Sequence, residues 1–157
     1  MTIIMYDSRR LSGTTMNFAR KLGKTLNLPV KCVNDITTID EDYILCTYTA
    51  GVGEVPLATQ KFLENNSKYI KGVVANGSSN FKQQGLFALA GERISNEFGC
   101  ELLKKLDMGG SDIDVEYVAK RCAKLLSLNN INLKILKEQP KSTFKNGVFT
   151  LVTFSQN

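Results

Sequence analysis

The chain has 157 residues, with 20 Lys and Arg against 15 Asp and Glu for a formal net charge of +5, and it contains no histidine. At roughly 100 to 200 residues per domain this is one compact unit, and 43% hydrophobic and 22% charged residues with 12 Gly and 3 Pro exclude collagen, coiled-coil and disordered classes. Without imidazole, Ser-His-Asp and Cys-His catalysis and His-ligated metal sites are excluded too.

Taken in chain order, residues 2–6 form a short apolar run ending at Asp7 and Ser8, then a polar loop, Arg9-Arg10-Leu11-Ser12-Gly13-Thr14-Thr15. That reads as strand and loop. Phe18, Leu22 and Leu26 recur every four residues, so a helix follows, with Ser12 or Thr14 as its N-cap and Leu28-Pro29 as its stop. Residues 30–33 make a second strand. Only nine residues, 34–42, separate it from the third, 43–48, too few for a full helical crossover. The loop Thr49-Ala50-Gly51-Val52-Gly53-Glu54-Val55 runs into Pro56, suited to the first position of a helix over 57–69. A fourth strand, 70–75, leads to the loop Asn76-Gly77-Ser78-Ser79-Asn80. Phe87, Ala90, Ile94 and Phe98 trace the next helix face, which Gly99 closes. A fifth strand over 100–106, the loop 107–111 and a last helix carrying Val115, Val118, Cys122 and Leu125 complete the core, with Asp112, Asp114 and Glu116 favoured near that helix's start by its dipole.

Strands alternating with helices predict an α/β domain built on a five-stranded parallel sheet with helices on both faces. The core covers about 1–127, and a β-prone extension over about 128–157 carries the hairpin signal Asn146-Gly147. Its simplest role is to cover apolar surface; a partner-binding arm is the alternative. Residues 1–116 hold 13 basic and 14 acidic side chains, whereas residues 117–157 hold 7 and 1. The excess charge therefore belongs to the last helix and the tail, which disfavours a uniformly basic nucleic-acid binder. Cys32, Cys46, Cys100 and Cys122 form no C-x-x-C pair and read as buried free thiols. Neither a signal segment nor a membrane span is apparent, so a cytoplasmic protein is expected.

Three loops leave strand carboxyl ends, where ligands of such sheets bind. The first, with Ser8, Ser12, Gly13, Thr14 and Thr15 before a helix N-terminus, has the hydroxyls and amides that hold a phosphate, although such hydroxyls also serve as plain caps. It matches neither a Walker A loop nor G-x-G-x-x-G. The second, Thr47, Tyr48, Thr49, Ala50 and Gly51, suits the face of a flat ring, because glycine allows close approach and tyrosine stacking; the plainer alternative is an ordinary turn. The third, Asn76, Gly77, Ser78, Asn80 and Phe81, offers hydrogen bonds to a ring edge, or else is a solvated turn. Their coincidence around one switch point suits a phosphorylated flat cofactor such as FMN.

Several spaced motifs in order resemble the flavodoxin-like NrdI family. They are Tyr6-Asp7-Ser8 with Ser12-Gly13 and Phe18; Thr47-Tyr48-Thr49 through Gly53-Glu54-Val55-Pro56, Thr59 and Phe62-Leu63; Gly72-Val73-Val74-Ala75-Asn76-Gly77, Asn80-Phe81, Ala90-Gly91 and Ile94-Ser95; and Met108-Gly109-Gly110-Ser111-Asp112-Ile113-Asp114-Val115. The resemblance implies a flavodoxin fold with strand order 2-1-3-4-5 and noncovalent FMN. It implies a redox role: electrons arrive from a reductase or other donor, the reduced flavin meets dioxygen, and oxidant passes to the class Ib ribonucleotide reductase small subunit, whose dimanganese tyrosyl-radical cofactor is thereby assembled. By the same resemblance the first loop holds the phosphate, and the second and third border the ring. Two departures stand out. The first loop is about two residues longer than in the family, and Asn76-Gly77-Ser78 replaces Ser-Gly-Asn. A general electron-transfer flavodoxin, or a paralogue with weakened flavin binding acting as a regulatory module, are the alternatives. With Arg9, Arg10, Glu54 and Lys82 around the loops, the rim is not acidic, so a reduced anionic ring is penalised less than on an acidic surface.

Overall fold

A computed structural model describes residues 1–8, 13–126, 141–145 and 148–152, the last two stretches as backbone. The five parallel strands are β1 (Ile3–Tyr6), β2 (Val30–Cys32), β3 (Tyr43–Tyr48), β4 (Ile70–Gly77) and β5 (Glu101–Asp107), arranged β2-β1-β3-β4-β5. The helices are α1 (Thr14–Leu26), α2 (Leu57–Asn66), α3 (Leu89–Phe98) and α4 (Asp112–Leu125). This is the expected flavodoxin-like order.

Alternation along the strands divides the core in two. Ile4, Ile44, Cys46 and Val74 point to one face and pack with Phe18, Leu22 and Leu26 of α1 and Val118 and Cys122 of α4. Ile3, Met5, Tyr43, Leu45 and Val73 point to the other, against Phe62 and Leu63 of α2 and Ile94 of α3. Residues 43–46 of the central strand are all inaccessible, which is why that segment reads as a continuous β-prone run rather than an alternating one. On the second face Tyr43 meets Phe62 edge-on, with ring centroids 5.4 Å apart, and donates its hydroxyl to the Asn66 carbonyl at 2.6 Å.

The short link after β2 holds only a 3₁₀ turn, Val33–Asp35, as the nine-residue spacing requires. Asn66, buried at the end of α2, ties this link to the sheet's second face. Its Oδ1 accepts from the Ile39 amide at 2.8 Å and its Nδ2 donates to the Thr37 carbonyl at 3.0 Å, so one side chain satisfies two of the link's backbone groups.

Several boundaries differ from the sequence reading. Pro56 is the N-cap of α2 rather than its first residue, and α2 ends at Asn66, where a 3₁₀ turn, Ser67–Tyr69, takes over. Helix α3 starts at Leu89, so Phe87 precedes it, and Gly99 closes it with a φ of 66°. Strand β5 is displaced by one residue, to Glu101–Asp107. Strand β4 continues to Gly77 because Asn76 and Gly77 pair with Leu106 and Asp107; tertiary pairing overrides the low strand propensity of Asn-Gly. Of the cysteines, Cys46, Cys100 and Cys122 are buried, but Cys32, on the edge strand, is half-buried.

Near the C-terminus, β6 (Lys141–Lys145) and β7 (Val148–Val152) form an antiparallel pair with Lys145 opposite Val148, the register that the hairpin signal in the sequence predicts. Asn146 and Gly147, residues 127–140 and Arg9 to Ser12 lie outside the described residues. Among the described residues no helix is long and apolar enough to cross a membrane.

Candidate functional site

The chain reverses its crossover direction between β1 and β3, and the three loops singled out from sequence leave the carboxyl ends of β1, β3 and β4 beside that point. The register sets Tyr48 beside Asn76 and Gly77 beside Asp107, so the second and third loops and the loop after β5 start level with one another.

The first loop delivers the start of α1. Gly13 is the N-cap, at a φ of 58°, and has no side chain to cap the helix with; Thr14, expected as a possible cap, is instead its first residue, and Ser12 lies outside the described residues. Ser8 Oγ accepts from the Met16 amide at 3.3 Å, and the Asn17 amide bonds the Gly13 carbonyl at 2.8 Å. Among the described residues the amides of Thr14 and Thr15 find no acceptor. An added Cβ on Gly13 would meet only Met16 Cε, at 3.6 Å. Among the described residues the helix therefore begins with N–H groups that meet no acceptor and with the positive end of its dipole, the equipment for an anion.

Asn76 ties this start to the rest of the site. Its Oδ1 accepts from the Gly109 amide at 2.7 Å, while its Nδ2 donates to Thr14 Oγ1 at 3.0 Å and Thr15 Oγ1 at 3.3 Å. Gly109, at a φ of 93°, lies so close to Thr14 that a Cβ there would come within 2.8 Å of the threonine Cβ.

The second loop is pinned into a tight turn. The Ala50 amide bonds the Glu54 carbonyl at 2.8 Å and the Glu54 amide the Ala50 carbonyl at 2.7 Å, with Gly51 and Gly53 at positive φ between them. Its hydroxyls differ in fate. Thr47 is buried and bonds the Tyr48 carbonyl at 3.0 Å, whereas Thr49 Oγ1 is buried with no partner among the described residues. A buried hydroxyl left open carries a penalty unless a ligand meets it. Tyr48 is half-buried beside it.

In the third loop, Ser78 caps a 3₁₀ turn, Ser79–Phe81, by accepting from the Asn80 amide at 3.3 Å, and Phe81 is 51% exposed. The turn is held by Asp107, whose two oxygens accept from the Ser79 amide and hydroxyl at 2.9 and 2.8 Å. These bonds, with Lys82 nearby, hold the Asp107 carboxyl below the usual range. Gly77 accepts from the Met108 amide at 2.9 Å, and a Cβ on it would collide with the Ala88 nitrogen at 2.7 Å.

Of the residues expected from sequence, Thr14, Thr15 and Asn76 are thus joined directly. Thr49, Ala50 and Gly51 share the second turn, and Ser78, Asn80 and Phe81 form a third group. Sequence reasoning placed Gly109 and Asp7 in motifs of the resemblance but not among the site residues, and it gave Asp107 no role. Asp7 is 4% exposed and accepts from Thr59 Oγ1 at 2.8 Å, with Thr47 Oγ1 a further 3.2 Å beyond Thr59. Burial pushes its carboxyl above the usual range, and hydrogen bonds from the Thr59 hydroxyl and amide partly offset this. The signals for it were a carboxylate ending an apolar strand and its place in the Tyr6-Asp7-Ser8 motif.

A family model described as NrdI flavodoxin-like matches residues 4–120. The chain belongs to that family. The protein NrdI of Bacillus licheniformis is 30% identical over 138 residues, which span 88% of this chain and the whole of that one. Among solved structures, a Streptococcus pneumoniae flavodoxin superposes with a TM-score of 0.58 at 23% identity, covering 80% of this chain and 97% of the other. A WrbA-like flavodoxin from Agrobacterium tumefaciens gives 0.53 at 13% identity, covering 85% and 97%. These structural likenesses establish the fold, and membership of the NrdI flavodoxin-like family implies a flavin cofactor. The residues present fit one. Open amides at the α1 start would take a phosphate, and the orphaned Thr49 hydroxyl lies in the loop suited to a ring.

Proposed function

We propose that this chain is an FMN-binding redox protein that supplies oxidant or electrons for assembling the dimanganese tyrosyl-radical cofactor of a class Ib ribonucleotide reductase small subunit. The observation that carries the reading is the start of α1, where Gly13 lends no side-chain cap and, among the described residues, the Thr14 and Thr15 amides meet no acceptor and stand beside two threonine hydroxyls, in a chain of the NrdI family. When bound, FMN would supply the electron transfer and the reaction with dioxygen. The chain's own residues would bind and orient it. Gly13, Thr14 and Thr15, with Ser8 and Ser12 beside them, would hold the phosphate. Thr47 to Gly51 would border the ring, with Thr49 Oγ1 free to hydrogen-bond it. Asn76, Gly77, Ser78, Asn80 and Phe81 would line the other side, where Asp107 fixes the loop. The partners are the reductase small subunit, an electron donor and dioxygen, in a cytoplasmic setting.

The test is to reduce the FMN-loaded protein, mix it with dioxygen and a manganese-loaded small subunit, and look for the tyrosyl radical by electron paramagnetic resonance. Radical formation dependent on this protein supports the proposal. Bound FMN without radical points to a general electron-transfer flavodoxin, and failure to take up FMN removes the flavin reading.

A further inference from the structure

The two outer strands of the five-stranded sheet are protected in different ways. Strand β2 is only three residues long, Val30–Cys32, and so short an edge offers little for another strand to pair with. Strand β5 is seven residues long, Glu101–Asp107, and among the described residues it pairs on one side only, with β4. An edge of that length presents unpaired N–H and C=O groups to any strand that approaches. The same chain carries such a strand. Residues 148–152, the Val-Phe-Thr-Leu-Val run of β7, hold neither charge nor proline, and β7 pairs only with β6 among the described residues.

Arg121 of α4 covers the β5 edge. The register skips Leu103, since Val73 pairs with Leu102 and Val74 with Lys104, and a bulge of this kind frees backbone groups from the ladder. Arg121 Nη1 donates to both carbonyls at the bulge, Leu102 at 3.2 Å and Leu103 at 2.6 Å. Its Nη2 is held by Glu101 Oε1, and its guanidinium carbon lies 5.8 Å from the centroid of the Tyr117 ring. A planar fork of five N–H donors can hold two carbonyls and a carboxylate at once. One fixed side chain thus occupies the acceptors that the amides of an added strand would need.

We propose that the outer edge of β5 is a strand-addition site held shut by Arg121, and that the strand it takes when opened is β7 of a second copy of this chain. Such a contact is head-to-tail. The copy that receives β7 keeps its own β7 free, and the copy that donates keeps its own β5 free, so association runs past the dimer. Arg121 therefore keeps the chain from assembling on itself, whatever cofactor the loops at the other end of the strands hold.

The test is Arg121→Ala in the full chain, with Arg121→Gln as a second variant that keeps part of the stem but cannot span both carbonyls and Glu101. Near-UV circular dichroism checks that each variant is folded. Sedimentation velocity over a wide range of concentration gives the size of the species, and amide hydrogen exchange read by mass spectrometry locates the contact. The wild type should sediment as a single species throughout. Each variant should self-associate at least about tenfold more tightly, the worth of one or two backbone hydrogen bonds. Species larger than the dimer should form, and protection should rise with concentration in peptides covering 101–107 and 148–152. A folded variant that stays monomeric overturns the proposal. Association that protects other segments overturns it too, as does a dimer protected at β5 alone, which would mean β5 pairing with itself. A wild type that already associates through β5 shows that Arg121 is no guard. If the alanine variant fails to fold, the glutamine variant decides; if both fail, Arg121 is a staple of α4 and the assignment falls.

Discussion

Replacing Thr59 with valine tests the buried polar chain beneath the site. Valine has nearly the same shape, so packing is kept and only the hydroxyl is lost. Thr59 Oγ1 donates to Asp7 Oδ2 at 2.8 Å and touches Thr47 Oγ1 at 3.2 Å, all three residues being less than 5% exposed. The variant leaves a buried carboxylate oxygen short of a donor, which costs about 2 to 3 kcal/mol at neutral pH. For a chain of this length that is a fall in Tm of about 4 to 12 °C. The dependence on pH has a definite sign. Burial raises the folded-state pKa of Asp7 above its ordinary 3.8, so the folded protein binds this proton more tightly than the unfolded chain. The stability associated with Asp7 is therefore fully present below about 3.8 and declines as pH rises through the raised folded value. Once the carboxyl is protonated, Thr59→Val removes only a neutral bond worth about 1 kcal/mol, so the deficit shrinks in acid. Urea unfolding of both proteins at pH 7 and at successively lower pH checks this. A deficit below about 0.5 kcal/mol at pH 7, well under the range expected for an orphaned buried carboxylate, or one that grows on acidification, would refute the reasoning.

Three further outcomes are expected. Gly13→Val should weaken FMN about five- to thirtyfold in a binding titration, because a left-handed φ costs a β-branched residue about 1 to 2 kcal/mol; Gly13→Asn, which tolerates that conformation, should cost less, and equal losses would implicate side-chain bulk instead of the backbone. Asp107→Asn should speed amide hydrogen exchange at Ser79 and in the following turn. In the wild type the same clamp should hold above pH 3.8 and loosen as pH falls through the lowered folded value. Iodoacetamide should label Cys32 first in the folded protein, since Cys46, Cys100 and Cys122 are buried and burial pushes the Cys100 thiol up to about 11 and the Cys122 thiol up to about 12; mass spectrometry of tryptic peptides gives the order.

Much of the fold was legible because it rests on local signals. The four-residue recurrence of Phe18, Leu22 and Leu26 and the β-prone run 43–48 state their own structure, and the nine residues 34–42 announce that no helix fits. Boundaries failed where a distant partner decided. Asn76 and Gly77 read as loop residues, yet pairing with Leu106 and Asp107 makes them strand. Thr14 read as a cap, yet its hydroxyl is taken by Asn76, 62 positions away.

By itself, then, the amino-acid sequence determined the α/β alternation, the three loops at strand carboxyl ends and the NrdI-like motifs, all of which depend on neighbours a few residues apart. Only the tertiary structure decided what the polar side chains in those loops do. Asp7 meets Thr59 and Asn76 meets Gly109 because strand register and helix packing carry them together. A hydrogen bond is made or lost within a few tenths of an ångström, a precision that no pattern of spacing along the chain can convey.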